Sequence, residues 1–292
     1  MPTSSTDAPP APAPAPLPPP SRGDGLRSWR AVEYAVVPGF RPLLLDLVRP
    51  DSAADLPLVV FLHGGGWRTG SRAAMGPTFA GWSPSPFAEL ASAGFAVASL
   101  DYRLSGEATF PAPLDDVRAG LSWLRAHAGE LGLARGRCAL WGESAGGHLA
   151  ALAALTGDDV GAVVDWYGPA DLTALADDAA ATGISITDPG AADSREALLL
   201  GGLVADRPDA ARAASPVTHV HAGAPPFLLR HGTADRFVPV RQSERLAEAL
   251  RGVGAPVRLD LVEGADHLWL GAPQAARTAF DDAVAFLTDR FT

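Results

Sequence analysis

The residues best suited to chemistry lie at positions 142–147, which read GESAGG. A serine with glycines two positions before and two after is typical of a sharp turn between a strand and a helix, because side chains at those glycines would collide across the turn. The run over 137–141 predicts the strand, and the Ala- and Leu-rich run over 145–156 predicts the helix. Ser144 is therefore the candidate nucleophile, and the alternative is a serine that caps a glycine-rich helix start.

A serine hydroxyl is a weak nucleophile until a base accepts its proton, and the chain offers seven histidines. His267 follows the last predicted strand, where the carboxyl ends of parallel strands place active sites, and His231 is a lesser competitor at the end of another strand. Asp235 is the candidate carboxylate that orients the imidazole, since it gives the chain order Ser, Asp, His. Asp266 adjoins the histidine in sequence and would point away from its ring.

Acyl transfer also needs hydrogen-bond donors at the point where negative charge develops. The run over 63–67, HGGGW, follows a strongly apolar strand and can present bare backbone amides. We therefore predict an oxyanion hole formed by the amides of Gly65, Gly66 and Ala145. The alternative is a loop that binds phosphate, but no Lys or Gly-Lys-Ser/Thr follows it.

The segments that must position these residues alternate between strand and helix patterns from residue 28 onward. This alternation predicts one α/β domain over 28–292, with a mostly parallel sheet covered on both faces. The predicted strands are 31–37, 43–48, 58–62, 95–98, 137–141, 160–166, 227–230 and 257–262. Between 171 and 212 the pattern weakens, and we predict a small cap over the site there.

The composition limits the cellular location that we expect for the protein and the classes of partner that it could bind. The 292-residue chain has a formal net charge of −10 and no basic stripe, which argues against nucleic acid and an anionic membrane as partners. A single cysteine, Cys138, cannot form an internal disulfide, and no apolar run approaches the roughly 18 residues of a membrane span. Residues 1–27 are predicted as a disordered Pro/Ala-rich tail without the pattern of a signal peptide. We therefore expect a cytoplasmic protein.

The sequence resembles the α/β-hydrolase fold and, within it, small carboxylesterases akin to hormone-sensitive lipase and to feruloyl esterases. The resemblance spreads from about residue 55 to 270 and is carried by 63–67, 101–104, 110–112, 142–149, 167–169 and the loops of Asp235 and His267. It implies a mostly parallel sheet of about eight strands with helices on both faces, the same triad and the same oxyanion donors. It also implies that 101–103 is a structural brace. Glu143 departs from the Asp that relatives of hormone-sensitive lipase often carry, and the cap is shorter than theirs.

These observations predict a serine carboxylic-ester hydrolase that acts through an acyl-enzyme on short-acyl or aromatic esters, without cofactor or metal. Trp67, Trp166, Tyr167 and Trp269 lie in or beside the site loops, and we predict that they form the substrate pocket. An amidase of the same fold, similar to an arylformamidase or a peptidase, would use the same residues. A non-catalytic binding module is the third alternative, and the oligomeric state is left open.

Overall fold

Nine strands form one sheet in the computed structural model, which describes residues 17–157, 159–272 and 274–291. They are β1 (Ser21–Gly23), β2 (Leu26–Ala35), β3 (Leu43–Pro50), β4 (Leu56–Leu62), β5 (Ala96–Leu100), β6 (Leu133–Glu143), β7 (Ala162–Trp166), β8 (Phe227–Gly232) and β9 (Val257–Val262). Their order across the sheet is β1-β2-β3-β5-β4-β6-β7-β8-β9. The six strands from β5 to β9 in this order are parallel, whereas β1, β2 and β3 pair antiparallel with their neighbours.

Nine α-helices accompany the sheet within the same described residues. They are α1 (Pro86–Ser92), α2 (Ala112–Ala126), α3 (Ala128–Leu131), α4 (Ala145–Thr156), α5 (Leu175–Thr182), α6 (Arg195–Leu200), α7 (Pro208–Ala213), α8 (Arg241–Gly252) and α9 (Ala275–Phe291). Apolar residues of α2, α4 and α8 pack on one face of the sheet, and those of α1 and α9 pack on the other. The prediction of a mostly parallel sheet with helices on both faces is therefore confirmed.

The centre of the sheet follows directly from the apolar runs. All seven residues of β4 are buried, as expected of a strand that is covered on both faces. Because the connections of parallel strands cross over through helices, the carboxyl ends of β4, β6, β7, β8 and β9 open at one edge. The loops that follow these strands contain the residues singled out for chemistry.

The amino-terminal edge differs from the sequence prediction, because part of the predicted tail over 1–27 belongs to the sheet. Ser21–Gly23 pairs with β2, and the indole Nε1 of Trp29 donates to the carbonyl of Pro18 at 3.0 Å. The side chain of Leu17 packs against the core. The added edge strand is polar and exposed, so no apolar pattern marks it. Residues 1–16 lie outside the described part of the chain.

The predicted cap over 171–212 lies in the long connection between β7 and β8, which contains α5, α6 and α7. A buried carboxylate anchors the connection to α8: Asp178 accepts from the guanidinium of Arg245 at 2.7 and 2.8 Å and from the amide of Gln242 at 2.7 Å. The first residues of α6 reach the cavity above Ser144. Within the described residues, no helix combines the length and the apolar character needed to cross a membrane.

Candidate active site

Ser144 occupies the turn between β6 and α4 with φ 54° and ψ −121°, a conformation that residues other than glycine rarely adopt. The turn is possible because its glycines allow very close backbone approach. A Cβ atom on Gly142 would come closer than 3.0 Å to the carbonyl of Gly146, and one on Gly146 would do so to the carbonyl of Leu62. The amide of Ser144 donates to the carbonyl of Trp166 at 2.8 Å, which fixes the turn against β7. The hydroxyl is thereby presented to the cavity.

His267 and Asp235 extend from Ser144 as one line of hydrogen bonds. Nε2 of His267 lies 3.1 Å from Oγ of Ser144, and Nδ1 lies 2.6 Å from Oδ2 of Asp235. Asp235 comes from the loop after β8, and His267 begins a single 3₁₀ turn in the loop after β9. With Asp235 ionised, Nδ1–H donates to the carboxylate and Nε2 accepts from the serine hydroxyl. The structure thus brings together the three side chains that the sequence singled out.

The carboxylate of Asp235 is buried but well supplied with donors. Its Oδ1 accepts from the amides of Phe237 and Val238 at 2.8 and 2.9 Å, while Nε2 of His231 lies 3.3 Å from Oδ2. Burial alone would raise the pKa of Asp235, but the hydrogen bonds from His231 and His267 outweigh it and hold that pKa well below its ordinary value. The carboxylate therefore stays ionised and can stabilise a positive charge on His267.

The competing candidates have other partners. His231 is fully buried, with Nδ1 2.7 Å from Oγ of Ser243 and Nε2 2.9 Å from the carbonyl of Val238. Asp266 accepts from the guanidinium of Arg236 at 2.6 Å and from the backbone amide of His267, not from its ring. His231 therefore contacts the carboxylate of Asp235, and Asp266 accepts a hydrogen bond from the backbone of the His267 loop.

The predicted oxyanion residues line the same cavity as Ser144 and His267. Gly65 and Gly66 have φ values of 110° and 60°, and the carbonyl of Gly65 accepts from the amides of Arg68 and Thr69 at 3.1 and 3.2 Å. Ala145, the third predicted donor, begins α4 beside the nucleophile, where the first amides of a helix have no partner within the helix. Their role as oxyanion donors stays a prediction that this arrangement allows.

A brace beneath this loop matches the role that the resemblance implied for 101–103. The hydroxyl of Tyr102 donates to the carbonyl of His63 at 2.8 Å, and the two rings stack with centroids 4.3 Å apart. Arg103 binds the carboxylate of Asp116 through Nε and Nη2 at 2.7 to 3.0 Å. The segment therefore fixes the start of the glycine loop and does not reach the cavity.

Glu143 has a structural role that the sequence did not reveal. Its carboxylate is buried and accepts from the amide of Gly76 at 2.9 Å and from the hydroxyl of Tyr167 at 3.2 Å. Burial raises the pKa of Glu143, while these hydrogen bonds and the nearby His267 oppose the rise. The side chain ties the turn at Ser144 to two neighbouring loops. The sequence signal that could have indicated this role is the position of Glu143 directly before Ser144.

The four aromatic residues predicted as a pocket are all buried, and only Trp67 is among the residues that line the cavity at Ser144. Its Nε1 donates to Nδ1 of His148 at 3.2 Å. Trp166 and Trp269 pack edge to face at 5.5 Å, and the ring of Tyr167 lies 4.6 Å from that of His267. The prediction that Trp166, Tyr167 and Trp269 line the pocket differs from this arrangement. Trp166 is the last residue of β7, Tyr167 follows it, and Trp269 ends the 3₁₀ turn that His267 begins. The rings of all three residues belong to the buried core.

The cavity above Ser144 has a volume of about 560 Å³ and lies between the glycine loop, the loops of Asp235 and His267, and α6. Sequence reasoning missed several of its lining residues, namely Arg68, Arg195, Glu196, Phe237 and Leu268. The cap prediction placed α6 near the site without indicating which side chains enter it. Among the described residues, no group of His, Cys, Asp and Glu side chains is arranged to hold a metal ion.

Comparisons with known proteins agree with this geometry. The chain is similar to LipM of Mycobacterium tuberculosis, whose name describes it as a probable carboxylic ester hydrolase. The two are 33% identical over 250 residues, which cover 78% of this chain and 53% of LipM. The chain thus spans about half the length of the curated relatives it matches. A truncated carbohydrate esterase from gut microbiota superposes with a TM-score of 0.75 at 27% identity, covering 90% of this chain and 95% of that one.

A second solved structure, Thermogutta terrifontis esterase 2 phosphonylated by sarin, superposes with a TM-score of 0.72 at 27% identity and covers 89% of this chain and 94% of that one. The family model described as BD-FAE matches residues 45–250, which include the glycine loop, Ser144 and Asp235. The match ends before His267, which the structure itself brings to the site. The chain has the α/β-hydrolase fold and belongs to the BD-FAE family.

Proposed function

We propose that this protein is a serine carboxylic-ester hydrolase that acts through an acyl-enzyme. The observation that carries the proposal is the unbroken line of hydrogen bonds from Ser144 through His267 to the ionised Asp235, at the wall of an open cavity. A serine, a base within hydrogen-bond reach and an orienting carboxylate are the parts that activate a hydroxyl nucleophile. The complete set argues against a non-catalytic binding module.

The proposed mechanism has two half-reactions. Oγ of Ser144 attacks the ester carbonyl while Nε2 of His267 accepts the hydroxyl proton, and the amides of Gly65, Gly66 and Ala145 stabilise the oxyanion. The intermediate collapses, the alcohol leaves with the proton from His267, and the acyl group remains on Oγ. A water molecule then attacks the acyl carbonyl, gives its proton to His267, and releases the carboxylic acid as the proton returns to Ser144.

The substrate class that we propose is short-acyl or aromatic esters. A cavity of about 560 Å³ lies within the range of small-molecule sites, and the ring of Phe237 gives its wall an apolar surface beside His267. An amidase would use the same residues. An ester and its matching amide should therefore be compared, and faster turnover of the amide would reverse the assignment.

The activated serine is tested by intact mass after incubation with a phosphonate that carries a nitrophenyl leaving group. Wild-type protein should gain a single adduct, and Ser144→Ala should gain none. The matched control is Ser71→Ala, which changes an exposed serine that lines the same cavity and accepts from the amide of Ala73 at 3.4 Å, and it should be labelled like the wild type. An adduct on Ser144→Ala, or none on the wild type, would overturn the proposal.

We also propose a cytoplasmic location. Cys138 is the single cysteine and is partly buried, so the fold uses no internal disulfide and does not require an oxidising compartment. Fractionation of the source cells tests the location directly. Recovery of the protein in the cell envelope or the medium would contradict it.

A further inference from the structure

Arg195 is the first residue of α6, and its side chain extends into the cavity. A Cβ atom on Gly66 would come closer than 3.0 Å to Cδ and Nε of Arg195, so the stem of this side chain rests directly on the glycine loop. The guanidinium carbon lies 5.4 Å from the centroid of the Phe237 ring, which in turn lies 5.3 Å from the ring of His267. A positive charge is thus held between two loops that border Ser144.

This guanidinium has no anionic partner in the described part of the chain. Every basic residue of this acidic protein is an arginine, and most of them form ion pairs with Asp or Glu. The side chain of Arg195 forms neither an ion pair nor a hydrogen bond with a described residue, and the same holds for the exposed side chain of Arg68, which also lines the cavity. A partly buried cation without a partner is costly, which points to an anion supplied from outside.

The acidic groups around the cavity leave this charge available. Glu196 follows Arg195 in the chain but forms no ion pair with it among the described residues. Burial raises the pKa of Glu196, and Arg195 opposes the rise, so its negative charge is itself disfavoured. The carboxylate of Glu143 is already engaged by Gly76 and Tyr167. Neither carboxylate therefore forms an ion pair with Arg195.

We propose that Arg195 is a specificity-determining residue that binds a second, non-reacting carboxylate of the ester substrate. The inference rests on the proposed esterase function and narrows it to esters that carry a free carboxylate near the scissile bond. A guanidinium is the side chain best suited to this task, because its planar donors match both carboxylate oxygens. The carboxylate belongs to the acid or to the alcohol half of the ester, and the test distinguishes the two.

Two pairs of esters test the proposal, each with a carboxylate or a neutral carboxamide in the same place. Monoethyl adipate and its carboxamide isostere probe the acid half, and meta-acetoxybenzoate and meta-acetoxybenzamide probe the alcohol half. Wild-type enzyme should prefer the carboxylate member of one pair by about 10- to 100-fold in kcat/KM, the range expected of a hydrogen-bonded charge. Most of the preference should lie in KM, and added salt should reduce it.

The decisive variant is Arg195→Gln, which should abolish this preference, so that its kcat/KM values for the carboxylate and carboxamide members agree within about twofold of each other. The matched control is Arg207→Gln, since Arg207 lies in the same connection, forms no ion pair with a described residue and lies outside the cavity lining. It should keep the full preference. The free product that keeps the preferred carboxylate, adipate for the acid half or meta-hydroxybenzoate for the alcohol half, should also slow phosphonylation of Ser144 in the wild type and not in Arg195→Gln.

The neutral esters separate the two ways of failing. Turnover of the carboxamide members without a preference for either carboxylate, or a preference that survives in Arg195→Gln, would overturn the inference and leave the esterase function intact. Arg195 would then be a residue that covers Gly66 and packs on Phe237. Absence of turnover for all four esters, together with an unlabelled Ser144, would overturn both.

Discussion

Replacing Asp235 with Asn removes one negative charge while it conserves the size of the side chain. Oδ1 of Asp235 accepts from two backbone amides, those of Phe237 and Val238, so the oxygen of the asparagine must take this position. The NH₂ group then faces Nδ1 of His267, where the carboxylate now lies 2.6 Å away. A donor at that place pairs only with an unprotonated Nδ1, and the proton of the neutral imidazole therefore moves to Nε2.

The expected loss follows from this change of tautomer. Nε2 lies 3.1 Å from the hydroxyl oxygen of Ser144, and once it carries the proton it cannot accept another from the serine. In serine hydrolase triads this substitution lowers kcat by about 10⁴-fold, which corresponds to about 5 kcal/mol of transition-state stabilisation. Because the side chain keeps its shape, we expect Asp235→Asn to fold like the wild type.

The assay is kcat with nitrophenyl acetate, supported by the rate of phosphonylation and by thermal unfolding of each variant. The matched control is Asp266→Asn, which changes the neighbouring carboxylate that binds Arg236 and touches only the backbone of His267. We expect the control to stay within about tenfold of wild type. The reasoning is refuted if Asp235→Asn keeps more than about a tenth of kcat, or if Asp266→Asn loses as much activity as Asp235→Asn.

Two predictions concern stability. In Gly146→Ala the added Cβ would collide with the carbonyl of Leu62, and we expect a loss of about 3 kcal/mol or more in urea unfolding. Gly129→Ala, where nothing lies within 4 Å, should change little, and equal losses would contradict the packing argument. Burial raises the pKa of Asp165 from 3.8 to about 7, so its contribution to stability is fully present below pH 3.8 and is lost as pH rises through about 7. The loss amounts to about 4 kcal/mol, and Asp165→Asn should flatten the fall in unfolding free energy between about pH 4 and 7, whereas an unchanged profile would show that Asp165 is not its source.

The parts of the fold that the sequence predicts are those with a local pattern. The apolar run of β4 marks a buried strand, and the alternation of strands with helices marks a parallel sheet. Topology then accounts for the placement of Asp235 and His267, because the loops after parallel strands open at one edge. Side chains that are 123 residues apart in the chain are thereby brought to 3.1 Å, without any local signal that joins them.

The misplaced residues depend on tertiary packing. Nothing in a short window tells whether Trp166 turns toward a cavity or, as it does, toward Trp269 and Trp141 in the core. β1 escaped prediction because an exposed polar edge strand has no periodic apolar face. Arg195 escaped prediction because the feature that singles it out is the lack of an ion pair with any described residue, and this is visible only when the neighbours of a side chain are known.

The residues proposed for the chemistry and the residue proposed for selectivity lie in different parts of the fold. Ser144, Asp235 and His267 lie in loops that follow strands of the sheet, so the core of the domain holds them in place. Arg195 begins α6, in the connection between β7 and β8, and its side chain lines the cavity. Changes in the first group should therefore lower kcat for every ester, whereas changes on α6 should alter the ranking of substrates. If a substitution of Arg195 lowered kcat equally for charged and neutral esters, this separation would be wrong, and α6 would belong to the catalytic machinery itself.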